Sequence, residues 1–276
     1  MYNFESDGFQ FINYVDLTES QHRLVHAARN HPDIRKWMTN NEEFSFESHM
    51  SFIEKLKTDE THIFWAVFKE QKYVGSVYIS DYNSQDKTGE GGDYVAPLCL
   101  GSGIGVEIRY IFYRYVMTEL KLKKLFGRIL LANKNSIVTL KKLGIKEYGR
   151  DTQYISCVLT PEEWVRQHFV MYLIQEKNFP SGRIGNEVSI SLNGQKRRCD
   201  TVVYDSSGAP LVIIEYKAAD VPLTQEVFNQ IYRYNIVLKV RYLIVTNGID
   251  HYCCYMDYDT LSANFMDEIP DYSALI

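Results

Sequence analysis

Apolar and polar positions alternate in two rhythms along this 276-residue chain. Residues 18–29, 46–57 and 104–119 suit helices, with apolar side chains three and four apart. Residues 63–69, 73–81, 93–100 and 125–131 read as strands. Arg29-Asn30-His31-Pro32 breaks the first helix, and a short helix starts over 33–38. Asn83–Gly92, rich in Gly, Asp and Ser, reads as a loop. The strand at 93–100 runs into Gly101-Ser102-Gly103-Ile104-Gly105. The strand at 125–131 runs into Asn133-Lys134-Asn135-Ser136 and a helix stopped by Gly144.

The rhythm changes near 156–161. Thr160-Pro161-Glu162-Glu163 has the form of a helix start, with Thr as N-cap, Pro at N1 and Glu at N3. The helix predicted from there to Lys177 buries Trp164, Phe169, Leu173 and Ile174. Strands over 184–192, 198–204 and 211–217 follow, with turns at Asn193-Gly194 and Ser206–Gly208. A helix over 224–237, a strand over 242–246 and a hairpin strand over 251–257 complete an α/β/α pattern. Two domains are expected, 1–156 and 159–276.

Composition narrows the class only slightly. Hydrophobic residues make up 45% and charged residues 24%, ordinary for a water-soluble domain. Five cysteines form no CxxC pair, so reduced thiols and a cytoplasmic location are expected. No apolar run reaches membrane length, so no membrane partner is expected. The net charge of −5 lies wholly in residues 160–276, which carry 10 basic and 15 acidic side chains. Such a segment should bind DNA weakly by itself. Its one basic cluster, Lys196-Arg197-Arg198, suits either a phosphate contact or a solvated hairpin.

The second half concentrates its chemistry in a short stretch. Asp200 opens one strand, and Glu215-Tyr216-Lys217 closes the next. Alternation puts Glu215 and Lys217 on one face. Carboxylates and an ammonium crowded at strand ends are costly unless a cation shares the site. Hard divalent ions prefer such oxygen donors. Gln230 and Tyr234 stand one helical turn apart on the following helix. Asp200, Glu215-x-Lys217 and Gln230-Ile-Tyr-Arg-Tyr234 together resemble the PD-(D/E)xK nuclease superfamily. The stretch from Leu159 to Tyr272 resembles the N-terminal domain of type I restriction enzyme HsdR subunits. That resemblance implies Mg²⁺ (or Mn²⁺) held by Glu187, Asp200 and Glu215. It makes Lys217 the group that orients water or stabilises developing charge, and Gln230 and Tyr234 bracing residues. DNA and restriction–modification subunits are the implied partners. The chain carries no helicase motor.

In the first half, a glycine turn between a strand and a helix presents bare N–H groups suited to a pyrophosphate. The turn departs from G-x-G-x-x-G, and no Gly-Lys-Ser/Thr triplet occurs, which argues against Rossmann and Walker-type sites. Gly101, Ser102, Gly103, Ile104 and Gly105, with Asn133 and Ser136 downstream, resemble the acetyl-CoA loop and the Asn helix of the GNAT acetyltransferases. Residues 29–38 and 47–54 are similar to the N-acetyltransferases of pseudaminic acid synthesis, which acetylate the 4-amino group of a UDP-amino-sugar. The resemblance implies acetyl-CoA as cofactor and a nucleotide-linked amino sugar or other small amine as acceptor. Asn30, Trp37 and His49 are the expected substrate residues, and His49, Glu90 and Asp93 the candidate bases. Leu140 stands where the family has a general-acid tyrosine, and Leu100 where it has Arg or Gln, leaving Tyr148 or water to serve as acid.

The fold expected is thus α/β (α+β), a GNAT-like mixed-sheet domain followed by a restriction-endonuclease-like α/β/α domain. The leading function is a fusion of an N-acetyltransferase with a metal-dependent nuclease-like domain. The alternatives are a defence nuclease whose first domain senses CoA or a nucleotide sugar, and a non-catalytic scaffold.

Overall fold

A computed structural model of the chain describes residues 3–143, 145–192, 195–260 and 262–276. The expected Asn193-Gly194 turn and Gly144 helix stop lie outside the described residues. The chain forms two compact units, Met1–Thr160 and Pro161–Ile276.

The first unit runs β1 (Phe4–Ser6), β2 (Phe9–Asn13), α1 (Glu19–Asn30), α2 (Pro32–Arg35), α3 (Phe46–Leu56), β3 (Ile63–Lys69) and β4 (Lys72–Asn83). It continues with β5 (Thr88–Val95), α4 (Ile104–Thr118), β6 (Lys124–Leu130), α5 (Lys134–Lys142), β7 (Lys146–Arg150) and β8 (Tyr154–Leu159). The sheet order is β1-β2-β3-β4-β5-β6-β8-β7. Every pairing is antiparallel except β5 with β6. Alternation on β3 splits the core. Ala66 and Phe68 pack with Val25 of α1 and Ile53 and Leu56 of α3, while Trp65 points the other way, to Phe112 of α4. α1 begins with a complete capping box between Thr18 and Gln21.

Strands β1, β2, β7 and β8 were not expected from the pattern. β1 spans three residues, and β7 (Lys-Glu-Tyr-Gly-Arg) is a polar edge strand, the form edges take to discourage further pairing. The expected loop at 83–92 is also corrected, because β5 starts at Thr88. Its glycines answer to packing. A Cβ on Gly89 would lie 2.6 Å from Ile79 Cγ2, and one on Gly92 would enter the Tyr78 ring.

The second unit comprises α6 (Pro161–Glu176), β9 (Ile184–Leu192), β10 (Gln195–Tyr204), β11 (Pro210–Tyr216), α7 (Gln225–Leu238), β12 (Tyr242–Thr246), β13 (His251–Asp257) and β14 (Ser262–Met266). Its sheet order is β14-β13-β12-β11-β10-β9. Only β11 and β12 are parallel, and α7 makes the crossover between them. Val165, Phe169 and Leu173 of α6 cover Val212, Ile214 and Tyr216 on one face. Val227, Phe228 and Ile231 of α7 cover Val202, Ile213 and Val245 on the other. This is the α/β/α sandwich expected, with β14 as an unforeseen edge strand. Among the described residues, no helix is long and apolar enough to cross a membrane.

Candidate functional sites

The cleft of the first unit opens where its one parallel ladder ends. β5 and β6 pair from Thr88↔Lys124 to Glu90↔Phe126. Beyond that point β5 stays with β4 up to Gly75↔Val95, and β6 stays with β8 up to Leu130↔Tyr154. The turn after β5 needs glycine for its backbone: Gly101 has φ +79° and Gly103, the N-cap of α4, has φ +85°. Their Cβ positions face open space, with nothing within 4 Å. Ser102 Oγ donates to Cys99 O at 2.7 Å and accepts from the Ile104 N–H. The first N–H groups of α4, including that of Gly105, have no partner inside the helix. The Ile104 N–H donates to Ser102 Oγ and the Val106 N–H to Gly103 O, and a helix start of this kind can serve as an anion seat.

Asn133 plays a local role as well. Its Oδ1 accepts the Ser136 N–H at 3.1 Å and so caps α5. Ser136 Oγ accepts from Arg109 Nη2 at 3.0 Å, and Arg109 Nε donates to Asp93 Oδ1 at 2.7 Å. Asp93 is therefore committed to an ion pair rather than held as a free base. Leu140 is buried, and Tyr148 is exposed against the Phe126 ring.

On the opposite face, the expected substrate residues separate. Asn30 is a staple: its amide donates to Phe44 O and its Oδ1 accepts the Phe44 N–H. His49 is buried, with its Nε2 3.2 Å from His22 Nδ1. Only Trp37 keeps an exposed ring. Asn30 and His49 thus engage partners within the protein. Tyrosine hydroxyls and Arg29 also gather on this face. Tyr14 donates to Ser76 Oγ, and the hydroxyls of Tyr14 and Tyr73 both reach Tyr94. Among the described residues, Arg29 Nη1 is buried without a hydrogen-bond partner. Its guanidinium acts on Tyr94, Tyr78 and Tyr14. Glu90 shares this face through its pairing with Ser80, one alternation from Tyr78↔Gly92.

The histidines make a pH prediction. Burial first, then His22 and His26, hold His49 down at about 4. An unfolded histidine ionises near 6.5, so the unfolded chain takes up this proton before the native one does. Stability should therefore fall as pH drops from about 6.5 toward about 4. Thermal melts at pH 7 and 5 check this: His49→Gln should flatten the difference, and an unchanged difference would exclude His49 as its source.

The second unit assembles most of its expected site. Asp200 and Glu215 come one step past the Thr201↔Ile214 pair of β10 and β11. There the ladder gives way, and Asp200 Oδ2 accepts the Tyr216 N–H at 3.1 Å. Lys217 Nζ lies 2.9 Å from Glu215 Oε1 and 3.3 Å from Gln230 Oε1. Gln230 Nε2 donates to both Glu215 and Tyr234. Alternation on β11 turns Glu215 toward α7, so both motif halves meet. Glu187 is the exception. It takes φ +55° on β9 and pairs with Arg198 at 3.5 Å. Among the described residues, no three His, Cys, Asp or Glu side chains gather closely enough to hold a metal. Asp200 and Glu215 are the two of the three expected carboxylates that flank the end of the β10–β11 ladder. The pattern missed Glu162, in the first turn of α6: after burial and Asp200 it raises the proton affinity of Glu215, and against burial it adds to Glu215 in raising that of Lys217.

Does this pair suit a hard divalent ion? Glu215 is 2% exposed, and its Oε2 is buried without a hydrogen-bond partner among the described residues. An orphaned carboxylate oxygen beside a second carboxylate is what Mg²⁺ uses, since it keeps several waters and needs one or two acids. The donor set fits. Burial, then Asp200, push the Glu215 carboxyl up to about 7, against the pull of Lys217. The native state holds this proton more tightly than the unfolded chain, where glutamate ionises near 4.5. Glu215 therefore costs stability as pH rises from about 4.5 through about 7. A cation must displace the same proton. Mn²⁺ affinity by calorimetry should fall about tenfold per pH unit below 7 and level off above it; a flat profile from pH 6 to 8 would contradict this.

Comparison with known proteins agrees with both descriptions. Residues 14–146 match the acetyltransferase (GNAT) domain family, and residues 161–270 match the type I restriction enzyme R protein N terminus (HSDR_N). By these matches residues 14–146 are similar to acetyltransferase domains of the GNAT class, and residues 161–270 to the HsdR N-terminal class. Acetyltransferase PseH of Campylobacter jejuni is 25% identical over 142 residues, covering 51% of this chain and 87% of that protein. The crystal structure of the C. jejuni N-acetyltransferase PseH with acetyl coenzyme A aligns at 20% identity and TM-score 0.46, over 55% of this chain and 98% of that one. Spermidine N-acetyltransferase from Vibrio cholerae, in complex with CoA and spermine, shares the fold at TM-score 0.53 and 17% identity, over 58% of this chain and 99% of that one.

Proposed function

We propose that the first domain transfers the acetyl group of acetyl-CoA to the amine of a nucleotide-linked amino sugar, and that the second is a Mg²⁺-dependent DNA endonuclease. The first half rests chiefly on the cleft between β5 and β6, closed by a glycine turn with φ +79° and +85° at the start of α4. N–H groups there suit a pyrophosphate. The edge of β5 past Glu90 offers donors for a thioester carbonyl. Glu90, on the acceptor face, is assigned the amine proton. Arg29, with an unused buried donor beside three tyrosines, is assigned a phosphate of the acceptor. The likeness to PseH supports a nucleotide-sugar acceptor over a polyamine.

Thiol release from acetyl-CoA with a UDP-4-amino-sugar tests this, and turnover with spermidine alone would refute the acceptor assignment. Leu140, buried where the family has a tyrosine, favours a second reading: a CoA sensor attached to a nuclease. Tight acetyl-CoA binding without turnover on either amine would establish that reading.

In the second domain, Asp200 and Glu215 would hold the cation, which lowers the pKa of a bound water and neutralises charge on the phosphate. Lys217 orients the attacking water and Gln230 fixes Glu215, with Tyr234 bracing Gln230. The acidic balance of residues 160–276 suits action within a larger restriction complex, where other subunits supply DNA affinity.

A further inference from the structure

Leu140 leaves α5 without a phenol, yet one turn earlier the same helix meets a partly buried cation. Arg109 of α4, its side chain 14% exposed, donates to Asp93 of β5 and to Ser136 of α5. It links three elements around the gap between β5 and β6. Ser136 lies four residues before Leu140, hence on the same face of α5. It also lies in the first turn, where helix N–H groups favour negative charge. A guanidinium accepts no hydrogen bond. Ser136 Oγ therefore accepts from Arg109 and keeps its own proton to donate. Asp93 offsets the charge of Arg109, which makes the cation tolerable at this depth.

We propose that the Ser136 hydroxyl, polarised and aimed by Arg109, donates a hydrogen bond to the sulfur of CoA as the thioester breaks, with Arg109 acting as a positioning residue. The inference rests on the acetyl-CoA reading given above. In the step, the acceptor nitrogen bonds to the acetyl carbon, and the C–S bond breaks with its electron pair kept on sulfur. The amine proton passes to Glu90 and then to solvent. Ser136 stabilises the thiolate without surrendering its proton, and solvent protonates CoA later. The titratable and charged groups around the gap are Arg109 and Tyr113 from α4, Asp93 and Glu90 from β5, Cys157 from β8 and Glu147 from β7. Burial pushes the Cys157 thiol up to about 12 and raises Tyr113 too, so both stay neutral through the pH range of interest.

The test titrates the thiol of CoA bound to the full chain, read as thiolate absorbance in the ultraviolet. The desulfo-CoA complex serves as a blank for the tyrosines. Binding of both ligands is followed by calorimetry. Wild type should ionise bound CoA about one pH unit lower than Ser136→Ala, which is about tenfold more thiolate at a given pH. Ser136→Thr, which keeps the hydroxyl, should titrate like wild type, and Arg109→Lys, which cannot span both partners, should titrate like Ser136→Ala. If CoA binds and its thiol titrates identically in wild type and Ser136→Ala, the inference is overturned while the acetyl-CoA reading stands. If neither CoA nor desulfo-CoA binds the wild type, both fall.

Discussion

Lys217→Ala should lower the rate of Mg²⁺-dependent nicking by about 10²–10³-fold, the range for removing one positioned electrostatic group from a reaction centre. The geometry gives the loss two sources. Lys217 Nζ sits 2.9 Å from Glu215 Oε1 with only 18% of its side chain exposed, so no solvent cation replaces it at equal strength. Lys217 also pulls the Glu215 carboxyl down, against burial and Asp200. Without it the proton on Glu215 tightens, and cation uptake at pH 7 weakens. Plasmid nicking should show the rate loss at every pH. Mn²⁺ calorimetry should show weakened binding at pH 7 that recovers at pH 8.5. Retained nicking in the variant would remove Lys217 from the reaction.

Gly103→Val should cost the first domain at least 100-fold in acetyl-CoA affinity. A β-branched residue at φ +85° occupies a backbone region open mainly to glycine, at about 1–3 kcal/mol. No atom lies within 4 Å of the Cβ position, so the free protein has room for the new side chain. The strain is relieved by turning the loop, which misaims the N–H groups that face a pyrophosphate. The branched side chain also stands in the open space over the anion seat. Gly8→Val is the control: φ is +78° there, again with open space, but it sits between β1 and β2, away from the glycine turn. It should lower the melting temperature and leave calorimetric acetyl-CoA affinity intact. Equal affinity loss in both variants would mean general destabilisation instead.

Sequence reading served best where chemistry and periodicity reinforced each other. The Asp200, Glu215-x-Lys217 and Gln230/Tyr234 spacing required one strand pair and one covering helix, and the structure brings Glu215, Lys217, Gln230 and Tyr234 into one hydrogen-bonded group. For Glu187, a strand assignment does not reveal the local φ of +55° or the ion pair of its carboxylate with Arg198. Glu162 escaped notice because it belongs to a helix start some fifty residues away in sequence, and only the fold turns that start toward Glu215. In the first domain, the glycine turn was legible because positive φ narrows residue choice. The acceptor face was not. Asn30 and His49 carry reactive-looking side chains but are consumed by Phe44 and His22. Tyr73, Tyr78 and Tyr94 come together through the register of β4 and β5, and the fold adds Tyr14 from the turn after β2 and Arg29 from α1. The pattern starts β5 too late because glycine usually marks loops, whereas Gly89 and Gly92 make room for Ile79 and Tyr78.

Both halves of the account come to one measurement: a crystal of the full chain grown with acetyl-CoA and Mn²⁺. The expected result is CoA pyrophosphate on the N–H groups of residues 101–105, with its sulfur beside Ser136. A manganese anomalous peak should lie between Asp200 and Glu215. Coenzyme bound away from the β5–β6 gap, or manganese held by other residues, would contradict the account.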